Sequence, residues 1–328
     1  MKTLHALSDL DPGVLLPAGG FRLPDLPAIG SSGAETSWAL VEESTLYALC
    51  SIWLDRAPVY KDYNCSALGH FFAVDKASGR AILEYAFDRL REHGKDYVIG
   101  PMNGNTWQSY RFITEDSGHP RFFLEPDSDP LWPEIFADSG FSRIAEYSSA
   151  LSERLDYRDD STGTALNNIR VHNLKVRPFD LERSEAELEA VYRLSLKSFA
   201  ANFLYTGIGR AEFMRLYQKI IPYVVPDYFQ LIEDNGELAA YVFAIPDYAQ
   251  QARGEHIDTL ILKTVARAPD KKYTGLGNYL VYYIHQLALR QGFKKIIHAL
   301  MHESNVSRKI SDKSALTIRR YSLYGREL

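Results

Sequence analysis

The chain has 328 residues, which at roughly 150 residues per domain is room for about two domains. Its 37 Lys and Arg against 42 Asp and Glu leave a net charge of −5, which excludes a general nucleic-acid binder, since such proteins carry a basic excess to meet phosphates. A composition 46% hydrophobic and 24% charged excludes a disordered chain, and two cysteines, Cys50 and Cys65, are too few for a disulfide framework or a cysteine zinc site.

In chain order, residues 1–36 are dense in Pro and Gly (Pro12, Pro17, Gly19, Gly20) and read as an irregular arm packed on a domain. Residues 38–53 alternate as a strand pair, and 68–74 read as a buried strand. A helix follows over 79–93, with Ile82, Leu83, Ala86, Phe87 and Leu90 on one face and Gly94 as its stop. Residues 97–99 form a short strand running into Gly100-Pro101. The polar stretch 157–170 reads as a linker, dividing the chain into domains over 1–156 and 171–328.

The second half starts again with a strand over 171–178. Ser184 with Glu187 predicts a capping box for a helix reaching Phe199, and a second helix covers 211–221. Segments 228–233 and 238–245 flank Asn235-Gly236, the strongest short hairpin signal. A long strand over 258–265, a polar loop, a helix over 278–291 stopped by Gly292, and a strand over 294–301 complete it. The strands after that read as short. An offset of 198 residues carries Gly94 onto Gly292 and Gly79 onto Gly277. Both halves therefore show strand, turn, helix, Gly, strand, which is the pattern of a duplication whose first copy has a shorter turn.

The expected compartment is the reducing cytoplasm. No stretch reaches the roughly 18 apolar residues of a transmembrane helix. The most apolar candidate, 279–289, is broken by His285 and Gln286, and the N-terminus carries His5, Asp9 and Asp11 in place of an apolar signal region. Neither membrane nor nucleic acid is an expected partner.

The sharpest local signal is the loop Lys271-Lys272-Tyr273-Thr274-Gly275-Leu276-Gly277-Asn278, between a strand and an amphipathic helix. Two glycines let backbone approach a ligand, first-turn amides face outward at the positive end of the helix dipole, and the lysines add charge, all of which suits a pyrophosphate. It is neither a P-loop, since no Gly-Lys-Ser/Thr follows, nor a Rossmann fingerprint, which needs glycine at Leu280.

On this loop and its surrounding element order the chain resembles the GCN5-related N-acetyltransferase (GNAT) superfamily, in a tandem two-domain form. That family carries Arg/Gln-x-x-Gly-x-Gly/Ala where this sequence has Lys272-Tyr273-Thr274-Gly275-Leu276-Gly277. The resemblance covers 171–328 well and 38–152 more faintly, where Ser139-Gly140-Phe141 matches a family helix ending. It implies an α/β (α+β) fold of two GNAT-like domains, each a mixed, mostly antiparallel sheet flanked by helices. It also implies acetyl-CoA or another acyl-CoA as co-substrate and acyl transfer to a small amine acceptor by direct attack. The turn, residues Lys271 to Asn278, would hold the pyrophosphate, Thr264 and Val265 would pair with pantetheine, and Asn305 would join the site.

Two departures matter. Lys272 stands where Arg or Gln is usual, and the tyrosine the family often has seven residues after Asn is Asp312, leaving Tyr321 or Tyr324 as substitutes for the general acid. In the first half, Asp75 stands where phosphate would sit, so that copy is expected not to bind CoA. Glu255, His256 and Asp258 precede the long strand and are candidate general bases. Tyr321, Asp258 and Glu255 are the catalytic candidates. His298, His302 and Glu303 lie too far apart along a strand for one metal ion without a bend, so no metal is expected. The segment 100–107, with Tyr110, Arg111 and Trp132, is either a turn held by Asn side chains or a wall of the acceptor site. Phe203, Tyr205, Tyr217, Tyr223 and Tyr228 are expected mostly in the core, with one or two lining a tunnel. Arg319-Arg320 reads as a solvated strand end. Two other functions stay open: a non-catalytic ligand sensor or interaction protein on the same fold, and a transferase using a carrier-bound acyl or aminoacyl donor.

Overall fold

A computed structural model describes residues 1–156, 162–312 and 314–328. The first half runs β1 (Thr3–Ala6), β2 (Leu16–Pro17), α1 (Leu26–Gly30), β3 (Thr36–Glu42), β4 (Thr45–Trp53), β5 (Cys65–Ala73), α2 (Lys76–Glu92), β6 (Tyr97–Gly100), β7 (Phe112–Asp116), α3 (Leu131–Asp138) and β8 (Ser142–Ser152). The second runs α4 (Thr162–Val171), β9 (Lys175–Pro178), α5 (Ser184–Ser198), α6 (Arg210–Gln218), β10 (Phe229–Asp234), β11 (Glu237–Pro246), α7 (Tyr248–Ala252), β12 (Thr259–Arg267), α8 (Leu276–Arg290), β13 (Lys295–His302), α9 (Val306–Ser311) and β14 (Leu316–Glu327).

Strand alternation sorts the core into layers. On β3, Trp38 and Leu40 face α2 and α3, while Ala39 and Val41 face the N-terminal arm through Leu7, Leu15, Leu26 and Ile29. With both faces covered, these strands are mostly apolar on both sides. In the second half Tyr241, Phe243 and Ile245 face α5 and α6, whereas Ala240, Val242 and Ala244 face α8. The Asn235-Gly236 turn has positive φ at both residues (50° and 86°), the type I′ geometry that joins β10 to β11 in two residues.

The two halves repeat one plan, a hairpin leading to a strand, a helix and a parallel strand: β3-β4-β5-α2-β6 and β10-β11-β12-α8-β13. All described strands belong to one mostly antiparallel sheet, ordered β1-β3-β4-β5-β6-β14-β8-β13-β12-β11-β10-β9, with β2 pairing β4 and β7 pairing β14 off that path. Its centre is an exchange. β14, from the second half, pairs with β6 of the first, while β8, from the first half, pairs with β13 of the second, and the two exchanged strands pair with each other. The sheet therefore does not divide at the boundary read from the sequence.

Four readings of single elements differ in the structure. The C-terminal strand is not short, since β14 runs 12 residues. The linker reading falls partly on 157–161, outside the described residues, and the remainder is α4, whose Ala165 is buried against the start of α8. No capping box forms at Ser184. Arg183 is the N-cap of α5 and offers no side-chain bond, while Glu187 turns to Arg177, with Nη1 at 2.8 Å. Arg319 is not solvated: its side chain is 1% exposed and donates to Glu125 (2.9 Å), itself 1% exposed. No described helix is long and apolar enough to cross a membrane.

Candidate functional site

β12 and β13 pair in parallel only from Thr259↔Lys295 to Leu262↔His298 and then diverge. Two bulges accompany the divergence. Lys263 is the extra residue of β12 opposite β11, and Leu300, at φ 60°, lies within the register break of β13 against β8. The bulge on β13 turns His298 and His302 to different surroundings. His298 is buried with its Nε2 2.9 Å from Nε2 of His285, whereas His302 packs edge-on against Tyr147. Burial pushes His298 down to about 3 and His285 down to about 4, so both are neutral near pH 7. Among the described residues, no group of three His, Cys, Asp or Glu is placed to hold a metal ion.

The V between the strands opens into a cavity of about 450 Å³. One wall is β12 from Leu262 to Arg267, closed at one end by Gly277 and Val281 of α8. The opposite side is β13 from His298 to His302, with Asn305 beyond it. Phe199, Phe203 and Tyr205 come from the loop after α5 and Tyr217 from α6, and Thr106, Trp107, Tyr110, Arg111 and Tyr147 come from the first half. The segment after Gly100 is thus a wall of the cavity, held in part by Trp107 Nε1 donating to the Thr206 carbonyl (2.8 Å). Trp132 is elsewhere, donating to the Ala73 carbonyl in the first-half core. Tyr223 is exposed, and Tyr228 packs in the core beside α8.

Of the co-substrate residues named from the sequence, Thr264, Val265, Gly277 and Asn305 line this cavity. The others serve the turn itself. Asp270 caps it, accepting the Lys272 amide (2.9 Å). The Lys272 ammonium pairs with Asp234 (2.7 Å), which also accepts the Tyr273 hydroxyl (2.8 Å). Lys271 and Thr274 are exposed, and Tyr273 and Leu276 are buried in the core beneath α8. Gly275 takes φ 87°, open to glycine at little strain, and as N-cap it offers no side chain to the first-turn amides of α8. Its outer side is covered by Ala165, and Asn168 donates to the Thr274 carbonyl (3.1 Å). Asn278 follows Gly277 in the first turn, half-buried.

The catalytic candidates do not gather there. Asp258 precedes β12 at the end remote from the cavity, where it accepts from Gln250 (2.8 Å) and Thr259 (2.9 Å). Glu255 is exposed and forked onto Arg253 (2.9 and 3.0 Å). Tyr321 is fully buried in β14 against Glu125 and Ser149. The sequence reading missed Lys263, whose signal was a lone lysine inside the apolar run 260–265. Burial and the neighbouring Arg111 pull its ammonium down to about 8, with Glu125 opposing.

The first half lacks the equivalent opening. Beyond Ala67↔Ile99 the chain crosses the gap itself: the Met102 amide donates to the Leu68 carbonyl (2.7 Å) and Asn103 Oδ1 accepts the His70 amide (2.8 Å). Asp75 caps α2 by accepting the Ser78 amide (2.6 Å) and pairs with Lys2 (3.2 Å), filling the helix start with a carboxylate. A Cβ at Gly69 would overlap Asn103 Oδ1 and the Met102 carbonyl oxygen. Gly69→Ala is therefore expected to destabilise the fold by about 1–3 kcal/mol, the usual cost of overpacking, measured by urea unfolding.

No family model and no curated protein matches this chain. Among solved structures, the chain aligns over 99% of its length, at 14% identity and TM-score 0.53, with a GCN5-related glucosamine N-acetyltransferase region in a fungal multi-domain GH3 β-N-acetylglucosaminidase, and spans 38% of that chain. It aligns over 94% of its length, at 13% identity and TM-score 0.52, with a tandem GNAT protein from the clavulanic acid biosynthesis pathway, covering 90% of it. A GCN5-related N-acetyltransferase from Anabaena variabilis matches over 93% of this chain and 66% of its own, at 10% identity and TM-score 0.50. At such identities the likeness is one of backbone architecture, and this chain has the tandem-domain fold of the GCN5-related N-acetyltransferase superfamily.

Proposed function

We propose that the protein transfers an acyl group, acetyl in the simplest case, from acyl-CoA to a small amine by direct attack. The observation that carries this reading is the bare edge of β12 beyond Leu262, facing a cavity of about 450 Å³ that ends at Gly277 in the first turn of α8. Pantetheine would lie along Thr264 and Val265, with its phosphates at that turn, where amides and dipole favour anions. The acceptor would enter from the side built by the first half. The acceptor nitrogen, as the free amine, attacks the thioester carbonyl, the C–N bond forms, the C–S bond breaks with CoA leaving as the thiolate, and the proton lost from nitrogen ends on that sulfur to give the amide and CoA thiol. Holding amine and thioester together supplies most of the rate.

The test is calorimetric titration with acetyl-CoA and longer acyl-CoAs. The expected result is one site per chain. Two sites would mean that the first-half gap opens, and no binding by any of them would overturn the reading. One observation favours a second donor class. α4 packs against Gly275 and Asp234 pairs with Lys272, while Gly277 and the β12 edge face the cavity, so the exposed part of the site is the pantetheine channel more than the turn. A donor on a carrier protein meets that geometry, and it is distinguished by transfer from an acylated carrier where acetyl-CoA fails.

A further inference from the structure

The charge of the cavity narrows the acceptor. Arg111, Lys263 and Arg267 all line it, and among the described residues no aspartate or glutamate does. Arg111 is buried, its backbone at φ 77°, with its amide held by the Pro101 carbonyl (3.0 Å). Its guanidinium sits in the angle between two rings that meet edge to face (centroids 5.5 Å apart, planes at 82°), 3.8 Å from the centroid of Tyr110 and 4.0 Å from that of Tyr147. Nε donates to the Tyr110 carbonyl (3.2 Å) and Nη1 to the Leu300 carbonyl (3.5 Å), which engages two of the five N–H donors. No described carboxylate forms an ion pair with it. The acids whose charge reaches this region are committed elsewhere: Glu125 to Arg319 (2.9 Å), and Glu303 to Arg308 (3.4 Å) and Arg320 (3.5 Å). Lys263 beside it donates to a carbonyl, that of Leu124 (3.2 Å).

A guanidinium seated in the corner of two rings and tied to two carbonyls keeps its fork in one orientation, and burial without a counter-ion leaves its charge unscreened. Such a group attracts an oxyanion, which it meets through two parallel N–H bonds, and repels an acceptor whose only charge is positive. We propose that the acceptor is an amine that also carries a carboxylate or phosphate, and that this anion sits on Arg111. The inference rests on the reading of the cavity as the acceptor site.

The experiment is titration without CoA. N-acetyl-L-phenylalanine against N-acetyl-L-phenylalaninamide tests the carboxylate, and phenyl phosphate against phenol tests the phosphate. In at least one arm the anion is expected to bind at least about tenfold more tightly than its neutral counterpart, the scale of a charge-assisted hydrogen bond. Arg111→Gln should erase that preference and Arg111→Lys should keep part of it. Equal binding of anion and neutral compound in both arms by the unmodified protein, or an undiminished preference in folded R111Q, overturns the proposal. Acetyl-CoA titrated into the same samples separates the two readings. CoA binding without anion preference removes only this inference, whereas anion preference without binding of any acyl-CoA removes the CoA-dependent reading and leaves an anion site.

Discussion

Gly277→Glu is expected to abolish acyl-CoA binding while the protein stays folded. A Cβ at position 277 meets only Val265 Cγ1, at 3.6 Å, an ordinary contact. The position is in the first turn of α8, where an acid complements the dipole and any residue but Pro improves on glycine's helix propensity, by about 0.5–1 kcal/mol for glutamate. Stability is therefore kept. The carboxylate, however, enters the cavity end where the phosphates belong. Two like charges 4 Å apart at an effective dielectric near 20 repel by about 4 kcal/mol, on the order of a thousandfold in Kd. Titration with acetyl-CoA, beside a thermal melt, reads both halves of the expectation. Binding like that of the unmodified protein would mean the phosphates lie away from α8.

The second large effect is on stability. Glu125 and Arg319 are each 1% exposed, and Arg319 also donates to the His119 carbonyl (2.9 Å) and pairs with Asp116, while Tyr321 donates to Glu125. Glu125→Ala leaves a buried guanidinium whose remaining carboxylate, Asp116, is half-exposed. Breaking such a pair from one side costs about 3–5 kcal/mol, because desolvation of the survivor is no longer offset. Urea unfolding should show that loss, and the double change Glu125→Leu with Arg319→Met should recover much of it. A loss under about 1 kcal/mol for Glu125→Ala alone would refute this account. The loop holding Glu125 also presents the Leu124 carbonyl to Lys263 and the Phe123 amide to Asp247 (2.7 Å), so its loosening would be felt at the cavity.

What the sequence made legible was local. The amphipathic face of α2, the Asn235-Gly236 hairpin and the glycines that stop α2 and α8 are each decided by neighbours a few residues away, and each stands as read. The glycine turn at 275–277 was legible for the same reason, since a left-handed residue before a helix leaves a composition trace. Much of what escaped is held by distant partners, although Asp258 and Glu255 are held by near ones. β14 has no period-two pattern because both of its faces are buried, and Arg319 looks solvated until the loop bearing Glu125 is brought to it. Asp258, Glu255 and Tyr321 have the right chemistry, but no local signal says that Gln250, Arg253 and Glu125 already occupy them. Lys263 shows the converse, a residue whose role depends on where two strands part.

The strand exchange sets the order in which this protein becomes whole during synthesis. Until residues 316–327 exist, β6 presents a bare edge, and until β13 exists, β8 has no second-half neighbour. Unpaired edges of this kind recruit other chains. A ribosome making this protein therefore holds an unfinished first half through the translation of residues 101–315. Cutting the chain between β8 and α4 is expected to give two pieces that each lack one of the two central strands, β14 in the first and β8 in the second.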